Sequence, residues 1–208
     1  MKYIEIMKFG GAALIKPTAL ENMIKIINSR NNQKLICIIS AIGKTTHQLK
    51  QAARLSYQNY PKKGRNIIEE IFQFHHNYAR IFIKSQNNLN IISKLLNEEK
   101  IKILDILKGI NITEEISPKI LDKLISKGED LALILIGSIL KSIIKSFRII
   151  ASTEVIITDE NYNNANPDYK ITEYKIRTYL KPEIINYDVI LIPGFKAASI
   201  NGNITTMG

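Results

Sequence analysis

The feature that most constrains the fold is the apolar run Leu35-Ile36-Cys37-Ile38-Ile39, which has the length of a β-strand. A run that is apolar at every position is typical of a central parallel strand, because such a strand is buried on both faces. A second short run with strand preference, at residues 3–7, ends in a glycine turn at residues 8–11, and helical patterns follow both runs. This order of strand, turn and helix predicts βαβ units and a parallel sheet covered by helices.

The rest of the chain adds a long helical stretch. Residues 66–145 carry apolar side chains mostly at helical spacing. Breaks are expected near residues 85–87, 109–117 and 126–128. Strand patterns return at residues 148–151, 155–157 and 189–192, and a last helix is expected at residues 171–180. The sequence therefore predicts an α/β fold, a mainly parallel sheet sandwiched by helices, with a helical insertion between parallel strands.

Composition excludes some classes of protein. A single cysteine among 208 residues cannot form an internal disulfide, which excludes a disulfide-stapled secreted fold. The first seven residues do not have the pattern of a secretory signal. The longest apolar stretch, residues 131–140, is far shorter than the ~20 residues that span a bilayer. We therefore expect a cytoplasmic protein that does not bind membranes.

The positive charge does not by itself indicate a nucleic-acid partner. The chain has 29 lysine and arginine residues against 19 acids, a formal net charge of +10. The lysines are scattered, arginine is scarce and tryptophan is absent, whereas nucleic-acid binders concentrate charge and add arginine or aromatic contacts. We interpret the excess as a solvated, lysine-rich surface and expect no nucleic-acid partner.

Polar or glycine-rich turns follow three of the predicted strands, at residues 8–11, 40–46 and 194–208. In open α/β sheets, ligands bind beyond the carboxyl ends of the strands. Glycine allows a ligand to approach the backbone closely, so the N–H groups of Gly10 and Gly11 could contact phosphate oxygens. The ammonium group of Lys8 could then lie over the same oxygens. A plain structural turn remains the alternative for this glycine pair.

Other chemistry-bearing residues favour structural interpretations. Gly43-Lys44-Thr45 is not a P-loop, because the first glycine of that motif would fall at Ile38. His75 and His76 point to different faces of a helix and lack a ligand at the following turn, so we expect surface or half-buried histidines and no metal site. Cys37 lies inside an apolar strand and is expected to be an inert core thiol.

Glu129 begins a predicted helix directly after Ser126-Lys127-Gly128. An acid in the first turn of a helix stabilises the helix by interacting with its dipole. The alternative is a carboxylate that points at a substrate amine. Spacing alone favours the first interpretation.

Five segments, in this order, resemble motifs of the aspartokinase family of amino-acid kinases. They are Lys8-Phe9-Gly10-Gly11; Ser40-Ala41-Ile42-Gly43-Lys44-Thr45-Thr46; Ser126-Lys127-Gly128-Glu129; the loop from Thr158-Asp159 to Ala165; and Gly194-Phe195 with Gly202-Asn203-Ile204-Thr205-Thr206-Met207-Gly208. The resemblance covers nearly the whole chain and implies the amino-acid kinase fold.

The resemblance also implies a reaction and the residues that carry it. The reaction is phosphoryl transfer from ATP–Mg²⁺ to the side-chain carboxylate of L-aspartate, giving 4-phospho-L-aspartate, the first step of lysine, threonine and methionine synthesis. Such transfers depend on positioning and charge neutralisation. By resemblance, the catalytic and ATP-phosphate-binding residues are Lys8, Gly10 and Gly11. The aspartate pocket is lined by Ser40, Ala41 and Thr46. Glu129 binds the ammonium group of the substrate, and Phe195 packs over the substrate.

The sequence departs from the family pattern at three places. Ala13 replaces a serine, Lys196-Ala197-Ala198 replaces the glycine expected after Phe195, and the sequence ends at Gly208, directly before the family's Arg-Gly-Gly-Ser-Asp. Residues 1–208 are therefore expected to be an incomplete kinase domain without the ATP-binding lobe and the regulatory ACT domains. We expect this chain to be inactive alone, although intact family members are homo-oligomeric kinases. A non-catalytic remnant or interaction module is the alternative.

Overall fold

Four parallel strands form the main sheet. The computed structural model describes residues 3–30 and 32–207. In spatial order the strands are β1 (Ile4–Phe9), β2 (Lys34–Ile39), β5 (Val189–Pro193) and β3 (Phe147–Ile149). Every neighbouring pair runs parallel. The predicted parallel sheet is confirmed, with the first apolar runs of the sequence at its centre and one edge.

Helices connect these strands. They are α1 (Pro17–Asn28), α2 (Thr45–Tyr57), α3 (Pro61–Phe82), α4 (Gln86–Thr113), α5 (Pro118–Ile125), α6 (Lys127–Ile143), α7 (Tyr169–Lys175) and α8 (Lys181–Asn186). Short 3-10 turns cover Gly11–Leu14 and Ser152–Glu154, and a π-helical turn covers Ile176–Leu180. The predicted helical insertion is thus α3 to α6. No helix within the described ranges is both long and apolar enough to cross a membrane.

The core lies on both faces of the sheet. One large apolar cluster joins helices α1 to α6 to alternate strand residues such as Cys37 and Leu191. A smaller cluster on the opposite face contains Ile36 and Ile190, packed against Leu180 from the α7–α8 segment. The apolar run of β2 is therefore buried on both sides, as its sequence predicts. Burial raises the pKa of Cys37 to about 12, which keeps the thiol protonated and unreactive.

A second, smaller sheet was not predicted from the sequence. It consists of β4 (Ile157–Thr158), β6 (Lys196–Ser199) and β7 (Ile204–Thr206), where β4 and β6 are parallel and β6 and β7 form an antiparallel hairpin. The segment 194–208 was expected to be a turn. Its strands lack the apolar alternation of a typical strand, and alanine has a low strand preference, so tertiary pairing decides their structure. Gly208 lies outside the described residues.

Some element boundaries also differ from the prediction. A break was expected from Gly109, but α4 continues to Thr113 and ends where Glu114 adopts a positive φ. Glycine in a helix interior lowers helix stability by only about 1 kcal/mol relative to alanine. The buried side chains of Leu107 and Ile110 stabilise the same turn by packing. The last helix was expected to end at residue 180, but the chain continues through the π turn into α8. Pro182 is compatible with this continuation, since the first turn of a helix tolerates a residue without an N–H donor.

His75 was expected at or near the surface, but it is fully buried in the apolar core, on the same face of α3 as Ile68 and Phe72. Its Nδ1 lies 2.7 Å from the carbonyl oxygen of Ile71 one turn earlier in α3, so Nδ1 carries the proton that is donated. Its Nε2 has no hydrogen-bond partner among the described residues. Burial lowers the pKa of His75 from 6.5 to about 4. The ring is therefore neutral in the folded protein at neutral pH.

This neutral histidine predicts a pH-dependent stability. Between pH 6.5 and about pH 4 the unfolded chain binds a proton that folded His75 does not, so the contribution of His75 to stability is lost as pH falls. Relative to the wild type, His75→Phe should therefore gain about 3 kcal/mol in free energy of unfolding between pH 7 and pH 4, measured by urea denaturation. A core substitution in the same helix, Ile68→Val, should show a difference that does not vary with pH. A pH-independent difference for His75→Phe would contradict a neutral His75.

Candidate functional site at the strand ends

The carboxyl ends of three strands lie side by side. Phe9 at the end of β1 is the register partner of Ile39 in β2, and Ile39 is the register partner of Pro193 in β5. Three of the residues singled out from the sequence follow this row directly: Gly10, Ser40 and Gly194. The structure therefore confirms that the turns converge at one edge of the sheet, the place where ligands bind in open α/β folds.

The first two turns are in direct contact. The N–H of Gly43 donates to the carbonyl oxygen of Gly11 at 3.0 Å. A Cβ atom at Gly11 would overlap the carbonyl oxygen of Ala41, so only glycine fits at this position. Gly43 itself has a φ of +62°, in the left-handed region that glycine adopts without strain. Lys8 is exposed two residues before Gly10, at the end of β1.

The beginning of α6 packs on the second turn. A Cβ atom at Gly128 would lie 2.8 Å from the Cβ of Ala41 and 3.4 Å from Oγ1 of Thr46. The first distance is closer than two carbon atoms approach, so glycine is required here as well. The neighbouring Thr45 hydroxyl donates to the carbonyl oxygen of Ile42 at 2.7 Å, which closes the first turn of α2. Ala41, Thr46 and Gly128 therefore form one packed surface.

Glu129 holds the third turn. Its side chain is 1% exposed, and the backbone N–H groups of Gly194, Phe195 and Lys196 donate to it at 2.9 to 3.2 Å. Burial raises the pKa of Glu129 to about 7, although these three N–H donors oppose the shift. The carboxylate fixes the loop that carries Phe195, which is half-buried against the main core.

The geometry thus connects part of the predicted site, from the first turn to the third, in a continuous chain of contacts. Gly11 touches Ala41, Ala41 touches Gly128, and the adjacent Glu129 binds the loop of Phe195. The bonds of Glu129 are a structural role that spacing alone did not predict. Its binding of a substrate ammonium stays a prediction, as do the roles of the other site residues.

A charged network beside this site was not predicted from the sequence. Asp130 Oδ1 lies 2.8 Å from Nζ of Lys196, and Asp130 Oδ2 lies 3.0 Å from Nζ of Lys127. Lys127 in turn pairs with Glu99 of α4 at 2.8 Å, and Glu99 pairs with Lys102. Four of these five side chains are mostly buried, so the pairs are only weakly screened by solvent. Lys196, which departs from the family pattern, is therefore fixed by Asp130.

Asp122 in α5 is a second buried carboxylate that sequence reasoning missed. It accepts hydrogen bonds from the backbone N–H of Asn163, and from both the N–H and the hydroxyl of Thr206. The distances are 2.6 to 3.1 Å. In the sequence, Asp122 stands out only as an acid four residues before Ser126. Such a position does not predict burial, because an isolated acid in a helix usually faces solvent.

The remaining motif begins in β4 of the small sheet and not at the row of strand ends of the main sheet. Thr158 pairs through its hydroxyl with that of Thr205 at 2.7 Å, within the small sheet. Asp159 accepts hydrogen bonds from the N–H of Asn161, and from the N–H and side-chain amide of Asn166. A cavity of about 380 Å³ opens beside this loop. No group of three or more potential metal-ligating side chains is present in the described part of the chain.

The sequence from residue 4 to residue 207 matches the model of the amino acid kinase family. The chain belongs to this family. Curated relatives include Aspartokinase 2, chloroplastic, of Arabidopsis thaliana, which is 24% identical over 77% of this chain and 29% of its own length. The bifunctional aspartokinase/homoserine dehydrogenase of Buchnera aphidicola is also 24% identical, over 99% of this chain and 25% of its own length. The chain thus spans less than a third of these relatives.

Solved structures have the same fold. E. coli aspartokinase III in complex with lysine and aspartate superposes with a TM-score of 0.85 at 20% identity, over 99% of this chain and 44% of that one. The aspartate kinase of Clostridium acetobutylicum gives a TM-score of 0.73 at 23% identity, over the whole chain and 42% of that protein. The amino-acid kinase fold expected from the motifs is therefore confirmed.

The contact between the first two turns predicts contrasting effects for adjacent glycines. Gly11→Ala should lower the free energy of unfolding by about 2 kcal/mol, because the added Cβ meets a backbone oxygen that cannot move away. Gly10→Ala is the matched control: its added Cβ has no atom within 4 Å, and the change should stay within about 0.5 kcal/mol. Chemical denaturation measures both. Equal stabilities for the two variants would show that the turns are not packed as described.

Proposed function

We propose that this chain supplies the aspartate-binding and phosphate-facing part of an aspartate kinase. The convergence of the three strand-end turns, with Glu129 binding the loop of Phe195, is the observation that carries the proposal. The names of the curated relatives and of the structural neighbours support it. Because the chain spans 44% or less of these proteins, the activity of the whole enzyme is part of the proposal.

The proposed reaction transfers the γ-phosphoryl group of ATP–Mg²⁺ to L-aspartate. An oxygen of the aspartate side-chain carboxylate forms a bond to the γ-phosphorus, the bond to the β-phosphate oxygen breaks, and ADP leaves. The exposed ammonium group of Lys8 offsets negative charge on the transferring group. The N–H groups of the Gly10–Gly11 turn assist, since glycine lets phosphate oxygens approach the backbone.

In this proposal, the aspartate pocket is built from the second and third turns. Ser40, Ala41 and Thr46 lie where β2 leads into α2, and Phe195 lies in the adjacent loop after β5. Glu129 provides the negative charge that attracts the substrate ammonium group. Its burial strengthens this attraction, because a low dielectric surrounding screens the charge less than water does.

The second candidate is a non-catalytic remnant or interaction module of the same fold. Lys196 favours it, because its side chain is committed to an ion pair with Asp130 at a position where the family pattern has a small residue. The retained Lys8, Thr46 and Glu129 favour the kinase. The two candidates differ in whether the chain binds L-aspartate.

The first prediction of the kinase proposal is pH-dependent binding of L-aspartate, measured by calorimetric titration. Affinity should increase as the pH rises through about 7, because Glu129 ionises there and its carboxylate then attracts the ammonium group. Glu129→Gln should weaken binding by roughly tenfold above pH 7 and remove this pH dependence. Glu98→Gln, an exposed acid of α4, is the charge-matched control and should bind as the wild type does. Failure of the wild-type chain to bind L-aspartate would favour the remnant.

The second prediction concerns turnover. We expect no robust ATP-dependent formation of 4-phospho-L-aspartate by the 208-residue chain alone, because it spans 44% or less of the solved aspartokinases that it matches. Trapping the acyl phosphate with hydroxylamine gives a coloured hydroxamate that measures the product. Robust turnover by this chain would contradict the incomplete-domain proposal and would establish the kinase directly.

A further inference from the structure

Two buried carboxylates bind the two strands of one hairpin at its open end, where Lys196 and Thr206 are register partners. Glu129 in the first turn of α6 accepts hydrogen bonds from the backbone where β6 begins, at residues 194–196. Asp122 in α5 accepts from the backbone N–H and the hydroxyl of Thr206, where β7 ends. Both side chains are at most 1% exposed. The adjacent helices α5 and α6 therefore hold both strands of the hairpin.

A backbone hydrogen bond connects the segment bound by Glu129 to the segment bound by Asp122. The N–H of Met207 donates to the carbonyl oxygen of Phe195 at 3.0 Å. Thr206, which precedes Met207, is bonded to Asp122, and the N–H of Phe195 is bonded to Glu129. Asp122 is therefore connected to the Phe195 loop through Thr206, the adjacent Met207 and the Met207–Phe195 hydrogen bond. A displacement of β7 would move that loop through the same hydrogen bond.

Hydrogen bonds carry more of this attachment than apolar packing does. Within the described chain, no residue of β4, β6 or β7 belongs to either of the two apolar clusters of the core. The buried side chains of the hairpin strands are small or polar: Ala197, Ala198, Ser199, Thr205 and Thr206. Such side chains bury little apolar area, so they contribute little hydrophobic stabilisation. Charge-assisted bonds to a buried carboxylate are correspondingly important for the position of the hairpin.

We propose that Asp122 is a positioning residue for the aspartate pocket: by holding Thr206 in β7 it sets the position of the Phe195 loop through the Met207–Phe195 hydrogen bond. Asp122 does not contact the substrate itself. This inference rests on the proposed function, because it assigns Asp122 a role in the same pocket. It also extends the site to α5, outside all five motifs of the sequence.

The structural part of the inference is tested without any ligand. In Asp122→Asn, the amides of Asn163 and Thr206 lose a carboxylate acceptor directly and should exchange faster with solvent. The proposal further requires faster exchange of the Phe195 and Lys196 amides, by roughly tenfold, although Glu129 is unchanged. Amide exchange followed by NMR measures each site. Faster exchange confined to Asn163 and Thr206 would overturn the coupling.

A second pair of variants keeps the test decisive if Asp122→Asn does not fold. Thr206→Val removes the hydroxyl that donates to Asp122 but keeps the shape of the side chain, whereas Thr206→Ser keeps the hydroxyl. Exchange of the Phe195 amide should be faster in the valine variant and close to wild type in the serine variant. Equal exchange in the two variants would contradict the proposal.

The functional part is tested by L-aspartate titration at a temperature where each variant is fully folded. Thr206→Val and Asp122→Asn should weaken binding by roughly tenfold, and Thr206→Ser should restore most of the affinity. Asp105→Asn, an exposed acid of α4, is the control for loss of charge. If a variant has a lower melting temperature but binds L-aspartate with wild-type affinity, then Asp122 has only a structural role and the proposal is overturned.

The two sets of measurements separate the possible failures. If the wild-type chain does not bind L-aspartate, the proposed function fails, but the amide exchange still decides whether Asp122 controls the Phe195 loop. If the wild type binds and the variants bind equally well, the positioning role fails while the proposed function stands. Coupled exchange together with weakened binding supports both.

Discussion

The attachment of the small sheet depends on two buried carboxylates, Glu129 and Asp122. Their oxygens accept hydrogen bonds from five backbone N–H groups and from the hydroxyl of Thr206. A buried charge is tolerated only when such donors replace its hydration. Each donor must therefore stay within about 3 Å, and this requirement fixes the hairpin and the Phe195 loop relative to α5 and α6. Apolar packing, which is not directional, could not impose the same precision.

The same edge of the molecule is shaped by close backbone contacts. Gly11 and Gly128 both approach Ala41 so closely that a side chain would collide with it, and this brings the turn after β1, the turn after β2 and the start of α6 together. The proposed phosphoryl transfer would need such an arrangement, because that chemistry depends on holding charged groups in position more than on covalent catalysis. Gly11 thus has a steric reason to be glycine as well as the proposed contact with phosphate, and Gly128 has the steric reason.

Sequence patterns predicted the main sheet and the insertion of helices because both depend on apolar periodicity. The run from Leu35 to Ile39 is buried on both faces, and the strand ends converge, because parallel strands place their carboxyl ends together. The hairpin of β6 and β7 was not predicted, since Lys196-Ala197-Ala198-Ser199 has no strand-like alternation and becomes a strand only through its partners. The bonds of Asp122 were missed for a related reason. They join residues 41 and 84 positions apart, and no local pattern records such distances.

If Glu129 binds the substrate as proposed, it would link occupancy of the pocket to the position of the Phe195 loop. Each of its oxygens already receives two N–H contacts, with the Phe195 N–H shared between them, so the carboxylate has few acceptor positions left. A substrate ammonium group that binds Glu129 must share these oxygens with the loop or displace one of its N–H groups. Either change alters the bonds that hold Phe195, the residue proposed to cover the substrate. Binding of the amine and movement of Phe195 over the substrate would then occur together. The hydrogen bonds between Asp122 and Thr206 of β7 would limit how far the loop can move.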